Sequence, residues 1–499
     1  MKQLFLITLV VLVAASFYTM ATVPDATSDR PIVRWKTDPN PARFRQVDRF
    51  HEWQVRTGRV DARGEAAVKL VLETADNQSS LIQAVSGVGG DIIDARVDQF
   101  AAMGVAHPLD EFAQGAAFHY SRTYPGAYRL LTDPAGTQYA YPCNLTAAAY
   151  LVNRDVFTAV GMPPPPREWT PDEFERIGKE YIARANAGNP RPRRFLVGST
   201  MDGEHGAILA NLMARSQGVD LYNETLTAAR CDDPRYVEAV VRLHNWTFRD
   251  RIFPTGADTA SVNAEAGYGS FGGFGQLQSG QYAMIYTGRY ALIRFREFAE
   301  KRQLASVQPP MFGFKNLHLA ARTAVMYTGA RDPETARLFF DYLADREYNE
   351  TIIDGADGLP PNPDFARDNP DFLDPPDHPN ENDIHRNEFE WALTIAIPPP
   401  VSPYFKATGS DWVSDALSKF FNRLVTDPAE ALAEARKRYD DGIHDAVEAN
   451  PRLRAAFDLD VEHQREIEAR LERGEKIPAA WVINPFYQAY YRAQNRLED

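Results

Sequence analysis

The chain has 499 residues, 44% hydrophobic and 24% charged, which is ordinary for a soluble globular protein and long enough for two or three cores. Its net charge of -14 comes from acids spread along the whole chain, with no basic block to track a phosphate backbone, so nucleic acid is excluded as a partner. Two cysteines, Cys143 and Cys231, exclude a disulfide-stapled scaffold; they either pair with each other or are small buried side chains.

In chain order, Met1, Lys2 and Gln3 are a positive n-region and residues 4–13 are almost unbroken apolar sequence. Small residues around Thr19 and Ala21 suit a signal peptidase, so residues 1–21 read as a secretory signal peptide. The run is shorter than the roughly 20 residues that span a bilayer, and an uncleaved anchor is the alternative. No Cys follows it for lipid attachment. Residues 32–35 read as a strand stopped by Asp38-Pro39, followed by a helix with Phe44, Val47 and Phe50 or His51 at helical spacing. Residues 68–73 are a second strand. A helix starts at Ser79 or Ser80 with Leu81, Ile82 and Val85 on one face, and residues 92–94 are a third strand. Strand, helix, strand, helix, strand predicts an α/β fold with a parallel sheet.

Farther on, residues 138–142 read as a strand stopped at Pro142, and residues 149–152 as another. Thr170, Pro171 and Glu173 spell a capping box with Pro at the first helical position. Residues 195–198 are a further strand, 281–286 a buried strand ending at Thr287-Gly288, and residues 231–252 a helix. Residues 304–310 are extended and Pro-limited, and residues 323–327 are a strand. Asp332 caps a helix whose Ala336, Phe339, Phe340 and Leu343 form an i, i+3, i+4, i+7 stripe. Residues 354–380 are a long loop, 410–450 amphipathic helices, and 451–499 a charged helix followed by an aromatic end.

Four stretches resemble the extracellular solute-binding proteins of ABC importers, in the sugar-binding, maltose-binding-protein-like branch. They are residues 89–94 (GGDIID); 139–144 (YAYPCN) with 150–157 (YLVNRDVF) and 169–174 (WTPDEF); 279–290 (SGQYAMIYTGRY); and 332–340 (DPETARLFF). Ala95 stands where sugar binders often place an aromatic, and Tyr290 where the family usually has Trp. The resemblance implies a two-lobed periplasmic-binding-protein fold, class II-like, with a helical C-terminal extension. Lobe 1 is then residues 31–142 and 305–345, lobe 2 is 143–304 and 346–450, and 451–499 lie outside the resemblance. Chain crossings are expected near residues 141–145, 304–310 and 343–348. The implied function is capture of a mono- or oligosaccharide and delivery to ABC permease subunits, by a monomer that is periplasmic, extracellular or anchored by its signal. No cofactor, metal or catalysis is implied.

Open α/β sheets bind ligands beyond the carboxyl ends of their strands. Sugars are met by flat aromatic faces and by planar polar groups that pair with hydroxyls. Trp35, Asp38, Asp76, Gln78, Asp98, Gln99, Asn144, Glu204, Tyr290 and Tyr327 sit at or just past strand ends and are the candidate ligand residues. Their structural alternatives are caps and turns for the polar residues and core packing for the aromatics. Arg289 either faces an acidic ligand or pairs with a carboxylate of the protein. Gly267, Gly269 and Gly272 match a dinucleotide spelling without the strand that should precede it. His51-Glu52 lacks a second His for zinc, and Cys143 beside Asn144 is a weak thiol-nucleophile candidate. An exported glycan hydrolase, which needs two opposed carboxylates, and a ligand sensor for a membrane receptor are the competing functions.

Overall fold

The structure is a computed structural model that describes residues 29–189, 191–266, 273–405 and 411–498. The signal-like residues 1–21 and the glycine loop 267–272 lie outside the described residues. Strand β1 (Ile32–Thr37) turns Val33 and Trp35 inward and pairs in parallel with β2 (Lys69–Thr74) and β3 (Ile92–Asp94). Parallel neighbours need a crossover, supplied by helices α1 (Ala42–Arg56) and α2 (Asn77–Val85). α1 buries Phe50 and Trp53, stacked at 5.8 Å, and leaves Phe44, expected inside, 65% exposed. α2 starts earlier than expected because Asp76 is its cap, accepting from the Ser79 amide at 2.8 Å. Its inner face is also different. Ala84 is buried while Ile82 and Val85 are 60% and 52% exposed. The Tyr327 hydroxyl donates to the Ala84 carbonyl at 2.9 Å, an approach that favours a small residue there.

The next strands are β4 (Ala140–Asn153), β5 (Phe195–Val197), β6 (Tyr282–Thr287), β7 (Leu304–Val307) and β8 (Leu317–Met326). Pro142 does not end its strand. β4 runs 14 residues, and its register with β8 shifts between Pro142 and Asn144, an irregularity that suits a residue with no N–H to donate. Residues 140–148 of β4 pair with β8, which also pairs with β3. Residues 149–153 instead pair with β6 on one side and β7 on the other, and β6 pairs with β5. One strand thus joins a first sheet, β2-β1-β3-β8-β4, to a second built from β7, β4, β6 and β5. The strand pairing is continuous through β4. The crossing expected near residues 141–145 is an unbroken strand that changes partners at residues 148–149, and β7 leads back to β8 through residues 308–316.

Around the second sheet, α3 (Pro171–Ala185) carries the capping box, with Thr170 and Glu173 each bonded to the other's backbone. With α4 (Glu204–Arg215) and α5 (Pro234–Phe248) it builds one core. Helix α6 (Pro333–Ala344) buries all four stripe residues against the first sheet. The following α7 (Arg346–Gly355) and α8 (Asn382–Thr394) lead to β9 (Ala396–Ile397), which pairs with β8. The resemblance puts these residues with lobe 2. In the structure, Tyr348, Ile352, Ile353, Leu359, Phe372, Trp391 and Ala396 join the cores of the first sheet. Helices α9 (Trp412–Phe421) and α10 (Pro428–Ala449) return to the second core. Cys143 and Cys231 are free, buried, and in different cores, so they do not pair.

The extension consists of α11 (Pro451–Arg473), β10 (Ile477–Pro478), α12 (Pro485–Ala493) and β11 (Leu497–Glu498), with β10 and β11 paired. Its aromatic residues are core: Phe486, Tyr487 and Tyr491 pack with Ile397, Ile467 and Ile477. Buried Asn484 locks it down. Its carbonyl oxygen caps α12, accepting from the Phe486 amide at 2.9 Å, and its amide donates to Asp220 at 3.0 Å and to the Tyr222 carbonyl at 3.2 Å. Asn484→Ala removes a helix cap and strands buried acceptors. It should destabilise the protein by about 2–4 kcal/mol, read as a lower midpoint in urea unfolding. An unchanged midpoint would mean that the extension docks without this anchor.

Candidate functional site

Below the carboxyl ends of β1 and β3 lies a charged network. The Arg322 guanidinium donates to Asp94 at 2.8 Å and reaches Asp357 at 3.5 Å. The Arg43 guanidinium donates to Asp38 at 2.6 Å and to Asp357. Gln46 donates to Asp357 at 2.9 Å. All of these side chains except Asp38 are largely buried. Trp35 belongs to this layer: its indole N–H donates to Asp94 at 2.8 Å, and its ring packs on Phe339 at 4.9 Å. Burial, then the Asp94 carboxylate, push the Cys143 thiol well above its ordinary value, which leaves it protonated and a poor nucleophile.

At the end of β6 the backbone turns through Gly288, Arg289 and Tyr290. Arg289 is buried. Its guanidinium donates to the carbonyls of Ile352, Ile353 and Gly358 and, at 2.8 Å, to His385 Nδ1. Burial, then the Arg296 charge, lower its pKa to about 9. Tyr290 is 41% exposed, yet burial of its phenol raises its pKa. Beneath this turn, buried Glu388 of α8 accepts from the Thr146 hydroxyl at 2.6 Å and from the Arg289 amide at 2.5 Å.

Past β3, Arg96 forks onto Asp98 with bonds of 3.1 and 2.7 Å. Burial works against the Arg96 charge, but Asp98, and after it Glu204 at the start of α4, raise its pKa. Glu204 belongs to the side of the second sheet, so the strand ends of the two sheets come within electrostatic reach of each other. His318 on β8 joins them: burial, then Arg215 and Arg96, lower it to about 4, so it is neutral at ordinary pH. Next to β5, a water-sized cavity of about 10 Å³ lies between His205, Ser199 and Tyr286.

Of the expected ligand residues, Trp35, Tyr327 and Arg289 have their side chains inside the protein. β1 runs two residues past Trp35, which places the indole within the sheet layer. Asp76 caps α2 and Gln78 is exposed on that helix. Gln99 accepts from Asn77 at 3.0 Å. Asn144 donates to the Asp357 carbonyl at 2.7 Å, so Asn144 and Asp38 belong to one network. Asp98 and Glu204 meet through Arg96. Arg43, Arg96, Arg322, Asp94, Asp357, Thr146, His318 and Glu388 were not foreseen. Asp94 stands in the GGDIID stretch and Arg322 among small residues of β8, but Glu388 carries no local signal. Among the described residues, no three His, Cys, Asp or Glu side chains gather to hold a metal.

Residues 65–350, more than half of the chain, match the family model described as bacterial extracellular solute-binding protein. The chain belongs to this family. Solved structures agree on the fold. An ABC substrate-binding protein from Listeria monocytogenes in complex with cycloalternan superposes with a TM-score of 0.66 at 20% identity, covering 83% of this chain and 99% of its own. A solute-binding protein from Thermotoga lettingae bound with alpha-D-tagatose gives 0.63 at 14%, covering 83% and 100%. The maltose/maltodextrin-binding domain from Bdellovibrio bacteriovorus bound to maltotriose gives 0.60 at 14%, covering 83% and 100%. No curated protein matches. The fold is the two-lobed solute-binding fold, and β4 is the strand shared by its two sheets.

The charged groups under the cleft yield two expectations. Arg322→Met leaves Asp94 without its guanidinium partner and should cost about 3–5 kcal/mol, measured by denaturant unfolding. Glu388 gives a pH signature. Burial pushes its carboxyl from 4.5 up to about 7, against the pull of the Thr146 hydroxyl and the Arg289 amide. The folded state therefore holds this proton more tightly than the unfolded one. The stabilisation is complete below the unfolded value and is lost as pH rises through about 7. Glu388→Gln should flatten that part of the curve of melting temperature against pH. Parallel curves for wild type and variant would assign the slope to other groups.

Proposed function

We propose that the protein is an extracytoplasmic receptor that captures a mono- or oligosaccharide between its lobes and hands it, chemically unchanged, to the permease of an ABC importer. Tyr290 carries the reading. It is a partly exposed aromatic face just past the carboxyl end of β6, a strand of the second sheet, where a sugar ring can stack. The fork of Arg96 and Asp98, Glu204, and the outward edge of Asp38 and Asn144 supply charged and planar polar partners for hydroxyls. Relatives in fold are described with cycloalternan, tagatose and maltotriose, which supports a carbohydrate ligand. Export by residues 1–21 fits the extracellular family.

A thermal-shift screen with maltotriose, tagatose, mannitol and other mono- and oligosaccharides tests this, because a ligand that binds only the folded state raises stability by about 2.7 kcal/mol at a hundredfold excess over Kd. Tyr290→Ala should weaken binding of the best hit by about 1–3 kcal/mol in calorimetric titration, with little change in the apo melting temperature. A variant that melts many degrees lower but binds equally well would make Tyr290 a core residue. Steady turnover of a glycan would overturn capture without chemistry.

A further inference from the structure

We propose that Glu388 is the positioning residue for Tyr290, fixing the turn that presents the ring while staying out of contact with ligand. This rests on the reading of Tyr290 as a ligand platform. The turn is gripped at Arg289, the residue before the ring, from two directions. Its guanidinium is bound to three carbonyls and to His385, and its amide donates to Glu388 Oε2 at 2.5 Å. The other carboxylate oxygen accepts from Thr146 at 2.6 Å. One side chain therefore ties α8 to the shared strand β4 and to the turn after β6.

The fit leaves no slack. A Cβ on Gly288 would lie 1.8 Å from Thr146 Oγ1 and 3.1 Å from Glu388 Oε1. Gly288 has extended backbone, φ -133°, so its role is to make room for this pair rather than to adopt an unusual dihedral. The Arg289 guanidinium is bonded to the carbonyls and His385, so the buried carboxyl is held by the Thr146 hydroxyl and the Arg289 amide together with the attraction of the Arg289 charge. The other titratable groups that face it are Tyr290 and Tyr124. An apolar replacement would avoid the desolvation of a buried carboxyl, but would leave an amide and a hydroxyl without an acceptor.

The test compares wild type, Glu388→Ala and Glu388→Gln as full chains by hydrogen exchange and by calorimetry with maltotriose. Glu388→Ala should speed exchange of the Arg289 amide by about 10-fold or more, with β1 and β5 unchanged, and weaken maltotriose by a similar factor. Glu388→Gln, whose amide oxygen can still accept, should restore both to within about 3-fold. Equal exchange at Arg289 in wild type and Glu388→Ala overturns the proposal, as does equal affinity. If maltotriose does not bind the wild type, exchange alone decides the positioning role and the failure belongs to the saccharide reading. If Glu388→Ala exchanges faster throughout, Glu388→Asp takes its place: it keeps the charge but not the reach, and the same local loss at Arg289 is expected.

Discussion

Strand β4 hydrogen-bonds to β8 along its first half and to β6 and β7 along its second, and the geometry of the cleft follows from that sharing. A strand in two sheets fixes their relative position through backbone bonds, which are directional and have no side-chain freedom to lose. It also brings the carboxyl ends of β3 and β6 to either side of one backbone, where Arg96 and Tyr290 stand. The change of partner falls among Ala147, Ala148 and Ala149, whose small side chains let two differently twisted sheets meet without a steric conflict.

The charged layer beneath the first sheet's end answers a different constraint. β1 and β3 end there, α1 begins there, and β8 and the loop after α7 bring Arg322 and Asp357 to the same place, where their charges are largely buried. Arg43 and Arg322 against Asp38, Asp94 and Asp357 satisfy them by mutual bonding. A hydrophobic layer of the same volume could be as stable. The ionic layer instead fixes directions: a planar guanidinium bound to two or three carboxylates admits few orientations.

Elements whose signals are local were legible in the sequence. The Thr170 capping box, the stripe of α6 and the strand at Ile92 depend on residues within one turn or one strand, and they stand where the pattern put them. Readings failed where a distant partner decided. Pro142 read as a stop, but pairing with β8 carries the strand through the register shift. Ile82 and Val85 lost the inner face of α2 to Ala84 because Tyr327, far along the chain, approaches that helix closely. Trp35 and Tyr327 lie within two residues of their strand ends, and both rings are buried in the first sheet's cores. Glu388 meets an amide 99 residues away, and nothing in the spelling around it distinguishes it from its neighbours Glu381 and Glu390.

The extension adds a last constraint. Solute-binding lobes close by hinge motion, and a hinge can bend only in the segments that pass between them. Besides β4, these include residues 308–316 and the stretch at β9. Phe314 of the first stacks edge-on against Phe486 and Tyr490 at 5.8 and 5.3 Å, and Ile397 of the second lies in the same cluster. The extension is itself fastened to the second lobe, through Asn484 to Asp220 and through the Tyr491 hydroxyl, which donates to Glu224 at 2.6 Å. Rotation of one lobe against the other must therefore either carry Phe314 and Ile397 with the second lobe, leaving the bend to β8 and the central alanines of β4, or pull Phe314 out of an aromatic cluster. The first route exposes no apolar surface and the second does, so the extension confines bending to the backbone closest to the cleft.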